Sequence, residues 1–141
     1  MTNLDMVAAQ KAQAVIAQTM GYDKNAVENV VTKALGVVQE QGVYAGMLYL
    51  LSRGEKEKPI AGEVTKQLVA LLREESLHTF GLAVGLADNP TEQQLLDHFA
   101  FCVCAQSVQT VLLVKNLFEQ TLMYARYSAK ARPEQKSTTG Q

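Results

Sequence analysis

Residues 23–42 read DKNAVENVVTKALGVVQEQG, and the spacing inside this stretch decides the fold class. Val27, Val30, Val31, Ala34, Leu35 and Val38 recur three and four positions apart, which stacks them on one wide apolar face of a helix. Asp23 or Asn25 supplies the oxygen that caps its first turn, and Gly42 ends it.

The same periodicity extends in both directions. Upstream, residues 3–20 form an Ala- and Gln-rich helix with Leu4, Val7, Ala8, Val15 and Ile16 on its apolar side, stopped at Gly21. Downstream, residues 43–52 are apolar almost all round, as a buried helix is. A charged loop, Glu55-Lys56-Glu57-Lys58-Pro59, leads to a helix over residues 60–75 with Val64, Leu68, Leu71 and Leu72 on one face. Gly81 and Gly85 interrupt residues 77–87, so a short or frayed helix is expected there. Asp88-Asn89-Pro90-Thr91 is a turn into a helical pattern that continues to Arg132 and breaks near Gln106 and Ser107. The expectation is an all-α fold, a compact bundle of five to six helices in one domain over residues 1–132, with a disordered tail at 133–141.

Composition agrees. A chain of 141 residues fits a single core, and 48% hydrophobic against 19% charged residues is apolar enough to offset the entropy of ordering. The N-terminus lacks a basic start followed by an apolar stretch, and no apolar run reaches the roughly 18 residues that span a bilayer, so a soluble, cytoplasmic protein without membrane attachment is expected. Cys102 and Cys104 would point about 200° apart on a helix, which prevents a mutual disulfide and suits a reducing compartment.

The formal net charge is −1, but it is unevenly spread. Residues 115–136 hold Lys115, Arg126, Lys130, Arg132 and Lys136 against Glu119 and Glu134, a surplus of three cations, so the first 114 residues carry a deficit of four. Lys115, Glu119, Arg126 and Lys130 fall within about 60° on an ideal helix. They form a polar stripe opposite Leu113, Leu117 and Tyr124. Such a stripe is a solvated face by default, and a phosphate-tracking face when copies of the chain align. Tyr124 and Tyr127 lie among these cations and could stack on bases, although core packing is the commoner use of an aromatic.

Catalytic apparatus is not legible. There is no phosphate loop ending in Gly-Lys-Ser/Thr and no serine nucleophile elbow. Gly81 and Gly85 make a small-xxx-small spacing better suited to close packing than to a phosphate. Glu75 and His78 give one Glu-x-x-His where di-iron bundles use two, and His98 with Cys102 offers two ligands where a structural zinc takes four. We expect no enzyme, no cofactor and no metal.

Two segments carry a resemblance. Gln41-Gly42-Val43-Tyr44-Ala45-Gly46-Met47-Leu48-Tyr49-Leu50-Leu51-Ser52-Arg53-Gly54 resembles the "Asn-Gly-Leu, then small and apolar, then Phe-Leu-x-Ser-Lys-Gly" segment in the small subunit of the Cmr complex, the type III-B CRISPR effector that silences RNA. Residues 122–131 are similar to that family's closing "Trp-Leu-Lys-Arg-Phe-Ala" helix, with Tyr127-Ser128 in place of Phe-Ala. The resemblance implies a non-catalytic subunit of antiviral defence. Its copies would stack into a filament with other effector subunits and line the channel where guide RNA pairs with target RNA, while base pairing reads sequence. It also implies RNA contact by Arg53, at the basic position of Ser-Lys-Gly, and by Arg126, at the Arg of the closing helix. On charge and exposure alone, Lys33, Lys56, Lys58, Lys115 and Lys130 are further RNA-binding candidates. The alternative function is a helical adaptor that docks a protein partner without nucleic acid.

Overall fold

Asn3 accepts the Asp5 backbone N–H at 2.9 Å and opens α1 (Leu4–Gln18). Of the two capping candidates for the next helix, Asp23 is the one used. Its carboxylate accepts the Ala26 N–H at 3.1 Å, starting α2 (Lys24–Gln41), whose six buried residues are those of the expected apolar face. These helices belong to a computed structural model that describes residues 3–133. The tail from 134 onward therefore lies outside the described residues.

Gly42 turns the chain at φ 101°, a backbone that side chains with a Cβ rarely adopt, and α3 (Val43–Leu51) follows at once. Gly46 lets α3 press against α2. A Cβ there would meet Val38 Cγ2 at 2.4 Å, well inside van der Waals contact. α4 (Lys58–Leu72) begins two residues earlier than expected, with Pro59 in its first turn, where a missing N–H costs nothing.

Residues 77–87 depart from the expected helix. A 3₁₀ helix occupies Glu75–Phe80, after which Gly81 and Gly85 take φ 66° and 82°, outside any right-handed helix, and the chain continues in turns. Thr91 and Gln94 then form a reciprocal capping box for α5 (Glu92–His98), which widens into a π turn (Phe99–Val103). Ser107 accepts the Thr110 N–H at 3.2 Å and starts α6 (Val108–Ala131), so the long helical pattern breaks where the sequence placed the break. Among the described residues there are six α-helices plus the 3₁₀ and π segments and no strand, an all-helical fold with somewhat more elements than the five to six expected.

α6 packs along both α1 and α2, α3 sits between α2 and α4, and α4 also covers α1. Lys130 near the end of α6 meets Glu28 near the start of α2, so these two run antiparallel. Asp5 at the start of α1 meets Tyr124 in mid-α6, whereas the chain just past α1 meets Arg132, so α1 and α6 run in the same sense. Their shared core includes Phe118, Leu122, Leu50, Leu68 and Leu71, with Phe99 reaching in from the π turn to within 6.1 Å of Phe118 between ring centroids. Each such side chain contributes about 1.5–3 kcal/mol by leaving water.

Candidate nucleic-acid interface

The face of α2 turned away from the core carries Asn25, Glu28, Asn29, Thr32 and Lys33. Four of these, Asn25, Glu28, Asn29 and Thr32, line a shallow groove of about 290 Å³. Two neighbouring elements frame it. On one side, Lys130 of α6 lies 3.7 Å from Glu28. On the other, Asn29 donates to the Glu57 carboxylate at 3.4 Å, and Glu57 lies 3.7 Å from Arg53 in the α3–α4 connection.

Arg53 is held from three directions. Its Nε donates to the Tyr49 carbonyl at 3.0 Å, one Nη donates to Ser52 at 3.3 Å, and the guanidinium lies 3.8 Å from the Tyr49 ring centroid. Guanidinium stacking of this kind fixes the orientation of the fork while leaving N–H groups for another acceptor. Burial pushes the Tyr49 phenol above its ordinary range, an effect the nearby Arg53 charge opposes.

Arg126 stands one turn before Lys130 on α6. In the antiparallel register with α2 that level corresponds to Thr32, one turn beyond Glu28. Arg126 Nε and Thr32 Oγ1 are both buried and both without a hydrogen-bond partner. Arg53 and Arg126 are nonetheless half-buried residues rather than interior ones. Lys33 and Lys56 are exposed, and among the described residues no carboxylate lies within ion-pair distance of either. Arg53 and Lys130 thus flank α2, with Arg126 one turn before Lys130, and α2 itself carries Lys24 and Lys33: five cations against Asp23, Glu28 and Glu57.

The other two candidates lie elsewhere. Lys115 pairs with Glu119 at 2.9 Å near the opposite end of α6. A span of 15 residues puts it about 22 Å along the axis from Lys130. Lys58 points toward α5, where Glu92 lies 3.5 Å away.

Three sequence readings need adjustment. Arg132, counted in the basic surplus, is only 5% exposed and donates to the carbonyls of Thr19 and Tyr22, so its charge serves the α1–α2 turn. Tyr124 does not stand free among cations: its hydroxyl donates to the Asp5 carboxylate, and that bond raises its pKa. Tyr127 is the exposed aromatic of the pair. Sequence reasoning also passed over Asn25, Asn29 and Thr32. The signal was present, since they occupy the side of α2 opposite the valines, but uncharged polar residues on a helix surface do not advertise a contact.

His98 and Cys102 serve the turn at residues 81–82. His98 Nε2 lies 2.6 Å from the Leu82 carbonyl, and Cys102 Sγ lies 3.7 Å from that of Gly81. His78 Nε2 lies 3.1 Å from the Arg73 carbonyl. No three His, Cys, Asp or Glu side chains come together as metal ligands among the described residues. Burial raises the Cys104 pKa, partly offset by a hydrogen bond with the Tyr44 backbone. Among the described residues no helix is long and apolar enough to cross a membrane. No family model, curated protein or solved structure matches this chain.

Proposed function

We propose that this chain is a non-catalytic subunit of an RNA-guided effector and presents the outer face of α2 to an RNA backbone. The type III-B Cmr complex is the assembly its sequence resembles. The observation that carries the reading is the gathering of Lys33, Arg53, Arg126 and Lys130 around α2 in a chain whose formal net charge is −1. Donors of this kind hold phosphates without reading bases, which is what an effector needs when pairing supplies sequence recognition. A small cationic area on a near-neutral body binds weakly alone and gains strength when copies are aligned in an assembly in the cytoplasm.

A subunit also needs a protein-facing surface. Tyr44 and Leu48 are exposed one turn apart on α3, and Val108 and Leu112 one turn apart on α6. The same rows favour the adaptor reading, in which protein alone is bound. The deciding experiment is purification of the assembly from its native host carrying wild-type chain or Lys33→Ala/Arg126→Ala/Lys130→Ala. Co-purified RNA, retained less well and with a shallower salt dependence in the variant, supports the effector reading. Partners free of RNA support the adaptor.

A further inference from the structure

Away from the α2 face, a second depression of about 540 Å³ runs along the flank of α4 that α1 and α3 leave uncovered, closed on its far side by Asp88, Asn89, Pro90 and Leu95. We infer that this groove binds a small aliphatic carboxylate, its chain on the apolar floor and its head between Lys66 and Arg73. Its size falls within the range of about 300–1,000 Å³ that ligand sites occupy. The floor is Leu51, Val69, Ala70 and Leu95, of which Val69 and Leu95 are nearly covered already, so the depression is a recess rather than a flat patch.

Charge selects the head group. Lys66 is exposed, with no carboxylate at ion-pair distance among the described residues, and Arg73 stands two turns further on the same flank, about 10 Å along the axis. Arg73 gives one N–H to the Ala87 carbonyl, which fastens the far wall to the end of α4 and leaves the rest of the fork available. Asp88 is the single acidic residue at the rim, so the groove favours an anion. No aromatic side chain lines it, which removes the stacking platform that a nucleobase uses and favours a flexible aliphatic body.

A third observation concerns a hydroxyl in this wall. Thr19 and Thr121 are buried in helical surroundings and satisfy their hydroxyls on the carbonyl four residues back, at 2.7 and 2.8 Å. Thr65 lines the groove, is 5% exposed and leaves its hydroxyl without any partner. A bound carboxylate would offer that hydroxyl the acceptor it lacks.

The site is independent of the RNA reading and is tested on the full chain by amide chemical-shift titration. The probes are sodium decanoate, kept below its micelle threshold, and decyltrimethylammonium at equal concentration. Saturable shifts at Gly62, Lys66, Ala70 and Leu95 with decanoate, absent with the cation, are expected. Lys66→Glu should weaken binding at least tenfold. Gly62→Leu grows a side chain into open space at the groove and should block it without lowering the melting temperature. Equal responses to both amphiphiles, no response to decanoate, shifts centred on exposed Phe101, Val108 and Leu112, or full affinity in Lys66→Glu would each overturn the assignment.

Discussion

Arg132 and Thr19 lie 113 positions apart in sequence, yet the guanidinium of one donates to the carbonyl of the other at 3.1 Å in a buried setting. A second N–H of the same fork reaches the Tyr22 carbonyl, so one cation satisfies the turn that leaves α1, close to that helix's negative terminus. Arg132→Ala takes the guanidinium donor from the Tyr22 carbonyl and one of two donors from the Thr19 carbonyl, which keeps the Tyr22 N–H at 3.0 Å. At about 1–3 kcal/mol for a stranded buried group, a loss of about 1–3 kcal/mol is expected in urea unfolding. Truncation after Ala131, which removes the same guanidinium, should cost at least as much.

Gly46 offers a packing test of equal sharpness. A methyl group there meets Val38 Cγ2 at 2.4 Å, so α3 must move off α2 or Val38 must leave its rotamer. Gly46→Ala should destabilise by about 1–3 kcal/mol despite the better helix propensity of alanine. Val38→Ala in the same chain should recover part of that loss, and a double-mutant cycle showing strict additivity would contradict direct contact.

These two residues mark how far the sequence could be read. Valine spacing on α2, the Ser107 break and the Gly42 turn were legible because each is a local rule: periodicity, a cap, a positive φ. The role of Arg132 was not, since its partners belong to the opposite end of the chain and its composition-level signal was a surface charge. The site divides the same way. Arg53 is recognisable as a cation in a polar connection and Lys33 as one on the polar side of its helix, but only the packing of α6 and the α3–α4 connection against α2 places them around one element and sends Lys115 and Lys58 elsewhere. Residues 77–87 misled because apolar content suggested a helix where two glycines take left-handed backbone.

Three groups link stability to alkaline pH. Tyr124, through its bond to Asp5, and Tyr49 and Cys104, through burial, all have pKa values raised in the folded state, from ordinary values of 10.0, 10.0 and 9.0. A raised folded pKa means the native state favours the neutral form. Its contribution is complete below the unfolded value and is lost as pH rises through the folded one. The urea midpoint should therefore be insensitive to these groups near pH 7, decline above about pH 9 and flatten in Tyr124→Phe. Cys104 should also react with a thiol reagent at pH 8 more slowly than an unhindered cysteine, because its thiolate fraction is suppressed. Equal rates would show that burial does not control it.

The cations can be ranked by what they must give up to hold a phosphate. Lys115 is engaged with Glu119 at 2.9 Å, whereas Lys33 has no carboxylate at ion-pair distance among the described residues and Lys130 lies a looser 3.7 Å from Glu28. In RNA retention by the assembled complex, Lys33→Ala and Lys130→Ala should each weaken binding several-fold and reduce the salt slope by roughly one, while Lys115→Ala and Lys58→Ala should stay near wild type. Glu28→Gln is the informative opposite. Exposed pairs of this kind contribute less than about 1 kcal/mol to stability, so the fold should tolerate the change. Losing the carboxylate frees Lys130 and removes a negative charge from the groove, and RNA should bind more tightly, with the gain shrinking as salt rises. Unchanged or weaker binding in Glu28→Gln would remove the first half of α2 from the interface.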